Sequence, residues 1–171
     1  MGSSLDNNSD KEFITSVVKE HSDMIIRIAF NYTRNMFDAE DIAQDVFLSL
    51  LTAPLMNGEA HLKAWLIRVT INKTKDFLKS AQKKRNVPLD EAKYQIAPNA
   101  DDVLNEIDCL NPQDRILVYL FYFERYTAKE IGEILSLKER AVLVRLHRAR
   151  AKLKTLLELS YQEICPKGEC L

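Results

Sequence analysis

The sequence predicts an all-α protein of two small helical domains joined by a flexible linker, the C-terminal domain containing a helix-turn-helix. Three observations lead there. Apolar residues recur at three- and four-residue steps through most of the 171 residues, and no stretch alternates as a strand would. One aperiodic stretch carrying Pro88 and Pro98, "KKRNVPLDEAKYQIAPNA", separates two periodic halves. In the second half a capped short helix, a three-residue turn and a longer basic helix follow one another. These set the domains at residues 10–82 and 101–160, with 83–100 as the linker.

The first helix is expected over "FITSVVKEHSDMIIRIAFNYT", where Ile14, Val17, Val18, Met24, Ile25, Ile28 and Ala29 keep helical spacing. Asp38 is read as opening the second, with Glu40 and Asp41 in its first turn, where the helix dipole favours negative charge. Pro54 and Gly58 make "TAPLMNGEAH" a loop. A third helix is expected over "LKAWLIRVTINKTKDFLK", with Leu62, Trp65, Leu66, Val69 and Phe77 on its apolar side; that spacing assigns Trp65 to the core rather than to base stacking. Past the linker, Asn111 caps a strongly apolar helix whose first residue is Pro112.

Thr127 and Glu130 have the spacing of a capping box, fixing where a short helix begins. Gly132 on that helix lets a neighbour approach closely. On the long helix after it, a rotation of about 100° per residue puts Val142, Leu146, Ala149, Leu153, Leu156 and Leu157 on one packing stripe. Arg140, Val144, His147, Arg148 and Ala151 fall opposite, with Arg145, Arg150, Lys152 and Lys154 on the flanks. A helix lying in a major groove needs cations on both sides of a narrow reading strip, as here.

A formal net charge of -1 conceals a segregated pattern. Residues 63–85 carry eight Lys/Arg against one Asp/Glu, and residues 125–154 carry nine against three. Residues 1–62, by contrast, carry four against ten. A polyanion can therefore be held at two places. Cys109, Cys165 and Cys170 form no framework and no CxxC, so they read as reduced thiols rather than a metal or redox site. No Ser-His-Asp set, glycine-rich phosphate loop or HExxH occurs, which argues against an enzyme and leaves no cofactor implied. No apolar run has bilayer-spanning length and the N-terminus lacks a secretory pattern, so a cytoplasmic location is expected.

Three ordered motifs, "DAEDIAQDVFLSLL", "AWLIRVTINKTKDFL" and "TAKEIGEILSLKERAVLVRLHRARAKL", resemble those of bacterial RNA polymerase sigma factors of the extracytoplasmic-function type. The resemblance implies an initiation factor with core RNA polymerase and promoter DNA as partners, and an anti-sigma factor besides. Asp41, Gln44, Asp45, Phe47 and Leu48 would then dock on a helical coiled coil of the polymerase. Asn72, Lys75, Asp76 and Lys79 would capture the melted minus-ten element, with the loop Asn57–His61 holding an extruded base. Lys138, Arg140, Leu143, Val144, His147 and Arg148 would contact the minus-thirty-five duplex.

The chain departs from the family pattern at that last site. A basic residue and a serine are common where Leu143 and Val144 stand, and a turn glycine and a capping serine where Ser136 and Lys138 stand. Apolar side chains there can meet thymine methyl groups but cannot make a bidentate guanine contact. The rival reading is an autonomous helix-turn-helix regulator that binds an operator without polymerase, although no dimer seam is evident; a helical adaptor for protein partners alone is a third.

Overall fold

The computed structural model describes residues 7–53, 58–85, 107 and 109–164, with side chains described at 11–53, 58–81, 107 and 109–158. Among the described residues only helices and turns occur. By contact the chain divides into two compact units, Met1–Ile96 and Ala97–Leu171. The linker expected at 83–100 lies, from residue 86 on, outside the described residues.

Unit 1 is built from α1 (Asn7–Thr33), α2 (Met36–Leu50) and α3 (Glu59–Arg85), each packed against the other two. Val17, Met24, Ile25, Ile28, Ala29 and Tyr32 of α1 meet Ala39, Ile42, Ala43, Val46 and Leu50 of α2 and Leu62, Leu66, Ile67 and Ile71 of α3 in one core. Arg34, in the left-handed region at φ 54°, ends α1. Asn35 then caps α2, its Oδ1 accepting from Phe37 N at 2.9 Å and Asp38 N at 3.5 Å. The second helix therefore starts two residues before the Asp38 read from sequence, because Asn35 supplies the capping oxygen; Asp38 keeps its place in the first turn.

The third helix likewise starts earlier than expected. Gly58, at φ 93°, turns the chain, and its carbonyl accepts the first helical bond from Leu62 N at 3.1 Å. Glu59, Ala60 and His61, read as loop, thus form the first turn of α3, while Asn57 lies outside the described residues. Buried along α3 are Leu62, Leu66, Ile67, Thr70, Ile71 and Thr74, whereas Trp65, Val69 and Phe77 are half-buried at its margin. Two threonines enter the core because Thr70 Oγ1 donates to Leu66 O and Thr74 Oγ1 to Thr70 O, each at 2.7 Å, so neither hydroxyl is left unbonded.

In unit 2, α4 (Pro112–Val118) is capped by Asn111 as its sequence requires: Asn111 Oδ1 accepts from Asp114 N at 2.9 Å. The helix widens over Tyr119–Phe123 into a turn closed by Glu124 N on Tyr119 O at 3.2 Å, five residues back. Next comes α5 (Ala128–Leu135) with the complete capping box. Glu130 N donates to Thr127 Oγ1 at 3.3 Å and Thr127 N to Glu130 Oε2 at 2.8 Å. Ser136, left-handed at φ 56° and ψ 42°, ends α5. Lys138 O accepts the first amides of α6 (Glu139–Ile164), from Ala141 at 2.8 Å and Val142 at 3.2 Å. The packing stripe read for α6 is buried at Val142, Leu146 and Ala149 and half-buried at Leu153, Leu156 and Leu157.

The turn between α5 and α6 depends on Gly132. Leu137 N donates to Gly132 O at 2.8 Å, which draws the turn backbone onto the helix. A Cβ at Gly132 would stand 2.7 Å from Leu137 O. The short helix and the long one are thereby packed closely against each other.

Candidate functional site

Three helix faces carry the candidate residues, two in unit 1 and one in unit 2. On α2, the buried residues Ala39, Ile42, Ala43, Val46 and Leu50 take one side. At about 100° per residue, Asp41, Gln44 and Leu48 follow each other along the opposite side, with Asp45 beside them. All four are exposed, Leu48 at 61%. Phe47 is turned away toward the flank and half-buried, so it does not share that face.

Phe37 and Leu51, which the motif reading passed over, complete the stripe. Phe37 is 79% exposed, and the series Phe37, Asp41, Gln44, Leu48, Leu51 advances by alternating four and three residues, the spacing of a seam that lies along another helix. The signal was in the sequence as that spacing. An acidic middle flanked by apolar ends suits a basic amphipathic helix.

On α3, Asn72, Lys75, Asp76 and Lys79 are all exposed and share the face opposite Thr70 and Thr74. Asp76 Oδ1 lies 3.5 Å from Lys79 Nζ, so this face is not uniformly cationic. Exposed Arg68 continues it one turn toward the N-terminus, and half-buried Trp65 borders it there. On this face, Arg68 is the residue that sequence reasoning missed; its step of four to Asn72 could have found it. Gly58 and the exposed Glu59, Ala60 and His61 stand at the N-terminal end of the same helix.

On α6, Arg140, Leu143, Val144, His147, Arg148 and Ala151 are exposed, and Lys138 is exposed just before the helix. Two flanking cations hold α6 to the rest of the unit. Arg145 Nη1 donates to Gln113 Oε1 at 3.1 Å, and Lys152 Nζ to the Cys109 carbonyl at 2.6 Å. Lys138, Arg140, Ala141, Val144, Arg145 and Arg148 line a hollow of about 380 Å³ on the outward side. Cations on this helix therefore divide between anchoring it and facing solvent.

Electrostatics at the start of α5 are set by its cap. The side-chain and then the backbone bond from Thr127 hold the Glu130 carboxyl below the usual carboxylate range. Burial, then the negative charges of Glu124 and Glu130, push the Tyr126 hydroxyl up to about 12. A strongly held cap keeps α5, and with it the turn to α6, in register.

Among the described residues no group of three or more His, Cys, Asp or Glu is placed to hold a metal ion. Cys109 is exposed, and Cys165 and Cys170 lie outside the described residues. No described helix is long and apolar enough to cross a membrane.

Residues 17–84 match the family model for Sigma-70 region 2, and residues 100–153 match that for Sigma-70 region 4. Together the two matches take in all three candidate faces. Among curated relatives, the ECF RNA polymerase sigma factor SigE of Mycolicibacterium smegmatis is 27% identical over 154 residues, covering 82% of this chain and 60% of the relative. RNA polymerase sigma factor SigV of Bacillus subtilis is 27% identical over 146 residues, covering 81% of this chain and 87% of the relative. The chain thus spans three fifths of the length of SigE and most of SigV. The fold is similar to that of the sigma factor RpoE solved with the anti-sigma factor NepR from Bartonella quintana, with a TM-score of 0.68 at 19% identity over 86% of this chain and 98% of that one. It is also similar to CnrH solved with the cytosolic domain of CnrY, with a TM-score of 0.60 at 22% identity over 87% of this chain and 90% of that one.

Proposed function

This chain belongs to the sigma-70 family of bacterial RNA polymerase sigma factors, in its extracytoplasmic-function branch, and from that premise we propose how its two units divide the work of initiation. The chain binds core RNA polymerase, directs it to a subset of promoters and helps open the duplex there. Its place of action is the cytoplasm, where the polymerase works. It performs no covalent chemistry; its contribution is binding energy.

One observation carries this reading: an acidic stripe with apolar ends on α2 stands on the same unit as a cationic face on α3, while a second cationic face stands on α6. The α2 stripe seats a basic helix of the polymerase, with Asp41 and Asp45 opposite its cations and Leu48 against its apolar side. On α3, Asn72 offers hydrogen-bonding groups to an unstacked base while Lys75 and Lys79 neutralise the phosphates beside it. Unpairing bases costs a few kcal/mol each, which such contacts offset. Lys138, Arg140, His147 and Arg148 on and before α6 grip the upstream element as duplex. An anti-sigma factor is the regulatory partner, binding the chain in place of the polymerase.

A pull-down with core polymerase, followed by a promoter-opening assay, tests the division. Asp41→Ala with Asp45→Ala is expected to cut retained polymerase at least tenfold and abolish opening while leaving the helical content intact, since both residues are exposed. Undiminished retention overturns the docking role. Promoter binding that needs no polymerase at all supports the autonomous regulator instead.

A further inference from the structure

The exposed surface of α6 holds two side chains that neither folding nor phosphate binding explains. Leu143, on the flank of the helix, is 48% exposed and Val144, on its outward side among cations, is 42% exposed, while the unit's core takes Val142, Leu146 and Ala149 from the other side. Val144 lines the same hollow as Lys138, Arg140, Arg145 and Arg148. A ring of cations around it fits a polyanion, and the major groove of duplex DNA admits a helix.

Cations supply affinity and register but carry little sequence information when they meet phosphates. Selection of bases therefore falls on the side chains between them. In the major groove the base pairs present donors and acceptors and one apolar group, the C5 methyl of thymine. An aliphatic side chain gains by covering that methyl. Against a guanine or cytosine edge it displaces water from polar atoms and returns no hydrogen bond.

We propose that Leu143 and Val144 read thymine methyl groups, on neighbouring base pairs of the duplex element bound by unit 2. This rests on the reading of α6 as a duplex-binding helix and adds which base it selects. Arg140 and Arg148 set the helix on the phosphates. Leu143 and Val144 then reward a thymine where each side chain touches the groove floor.

The test uses the full chain bound to core RNA polymerase and a library of promoter duplexes randomised in the upstream half. The enriched duplex is remade with deoxyuridine replacing one thymine at a time, which removes the methyl and keeps every hydrogen-bonding group. Binding is expected to weaken about three- to fivefold at each of one or two positions, the effect of losing one buried methyl. Leu143→Ser and Val144→Ser, both at exposed positions, are each expected to erase the thymine preference at one of them. Equal affinity for thymine and uracil at every position overturns the proposal, as does a preference that survives in both serine variants. Arg140→Ala with Arg148→Ala separates the two levels. If that variant binds the selected duplex as tightly as the parent, α6 is not on the DNA and the underlying reading fails with the proposal. If it loses binding while uracil is tolerated throughout, only the methyl proposal fails.

Discussion

Ser136 and Gly132 stand four residues apart around one turn, and each goes against the ordinary preference of its backbone conformation. Ser136 adopts φ 56° and ψ 42°, a left-handed conformation in which Cβ crowds the following carbonyl. Gly132 sits inside α5, where alanine would be the better helix former by about 1 kcal/mol, yet an added Cβ would meet Leu137 O at 2.7 Å. Backbone oxygen cannot swing aside as a side chain can. Ser136→Gly is therefore expected to stabilise unit 2 by about 0.5–1 kcal/mol through relief of the left-handed strain, less the extra chain entropy of glycine. Gly132→Ala is expected to destabilise it by about 1–3 kcal/mol despite the propensity gain. Urea unfolding of the full chain measures both. The single tryptophan, Trp65, lies in unit 1, so its fluorescence serves as an internal control that neither change should move, while far-UV circular dichroism follows both units. A raised midpoint for Gly132→Ala would show that the close approach to Leu137 does not require glycine.

At the scale of an element, α2 presents more than its acidic motif. Phe37 and Leu51 extend the seam to both ends of the helix, and an aromatic side chain left 79% exposed adds nothing to the core of unit 1. Phe37→Ser is thus expected to leave the stability of unit 1 within about 0.5 kcal/mol. Binding to core polymerase is expected to fall about tenfold, since buried aromatic anchors often dominate an interface. Titration of labelled polymerase with both proteins checks this; equal affinity would confine the interface to the stretch from Asp41 onward. The same helices show what the sequence could and could not reveal. The elements α4, α5 and α6 are legible because their signals are local: Asn111 before Pro112, the Thr127 and Glu130 box, and an apolar stripe from Val142 to Leu157. The buried side of α3 is less so, because Thr70 and Thr74 look polar until their hydroxyls are seen bonded to carbonyls four residues back. Asn35 is hard to read as the cap of α2 because acidic Asp38, Glu40 and Asp41 carry the stronger sequence signal of a first turn. Of the candidate polymerase contacts, Phe47 is the one whose burial depends on packing that spacing alone does not give.

For the whole molecule the governing quantity is charge by unit rather than in total. A net charge of -1 predicts little attraction to DNA, yet eight Lys/Arg against one Asp/Glu at 63–85 and nine against three at 125–154 create two local attractions. Each phosphate neutralised releases condensed counterions, so the binding constant falls with salt by a logarithmic slope of about 0.9 per contact on duplex and about 0.7 on single strands. Not every cation contributes in full. Arg145 and Lys152 bond within unit 2, and Lys79 lies 3.5 Å from Asp76, whose charge offsets its own. Arg140→Ala with Arg148→Ala is expected to lower the slope by about 1.8, and Lys75→Ala by about 0.7 where the open strand is bound. The two reductions are expected to add, because the residues belong to separate units and share no partner. Asp76→Asn discriminates further: if Asp76 acts only as a charge it strengthens binding and steepens the slope, whereas if its carboxylate accepts a hydrogen bond from a base, binding weakens despite the added positive charge. Filter-binding of the full chain with core polymerase to a promoter duplex, over a range of potassium chloride concentrations, measures all of these. A slope indifferent to Arg140 and Arg148 would mean that the cations of α6 face water in the complex, and that the upstream element is held by other parts of the polymerase.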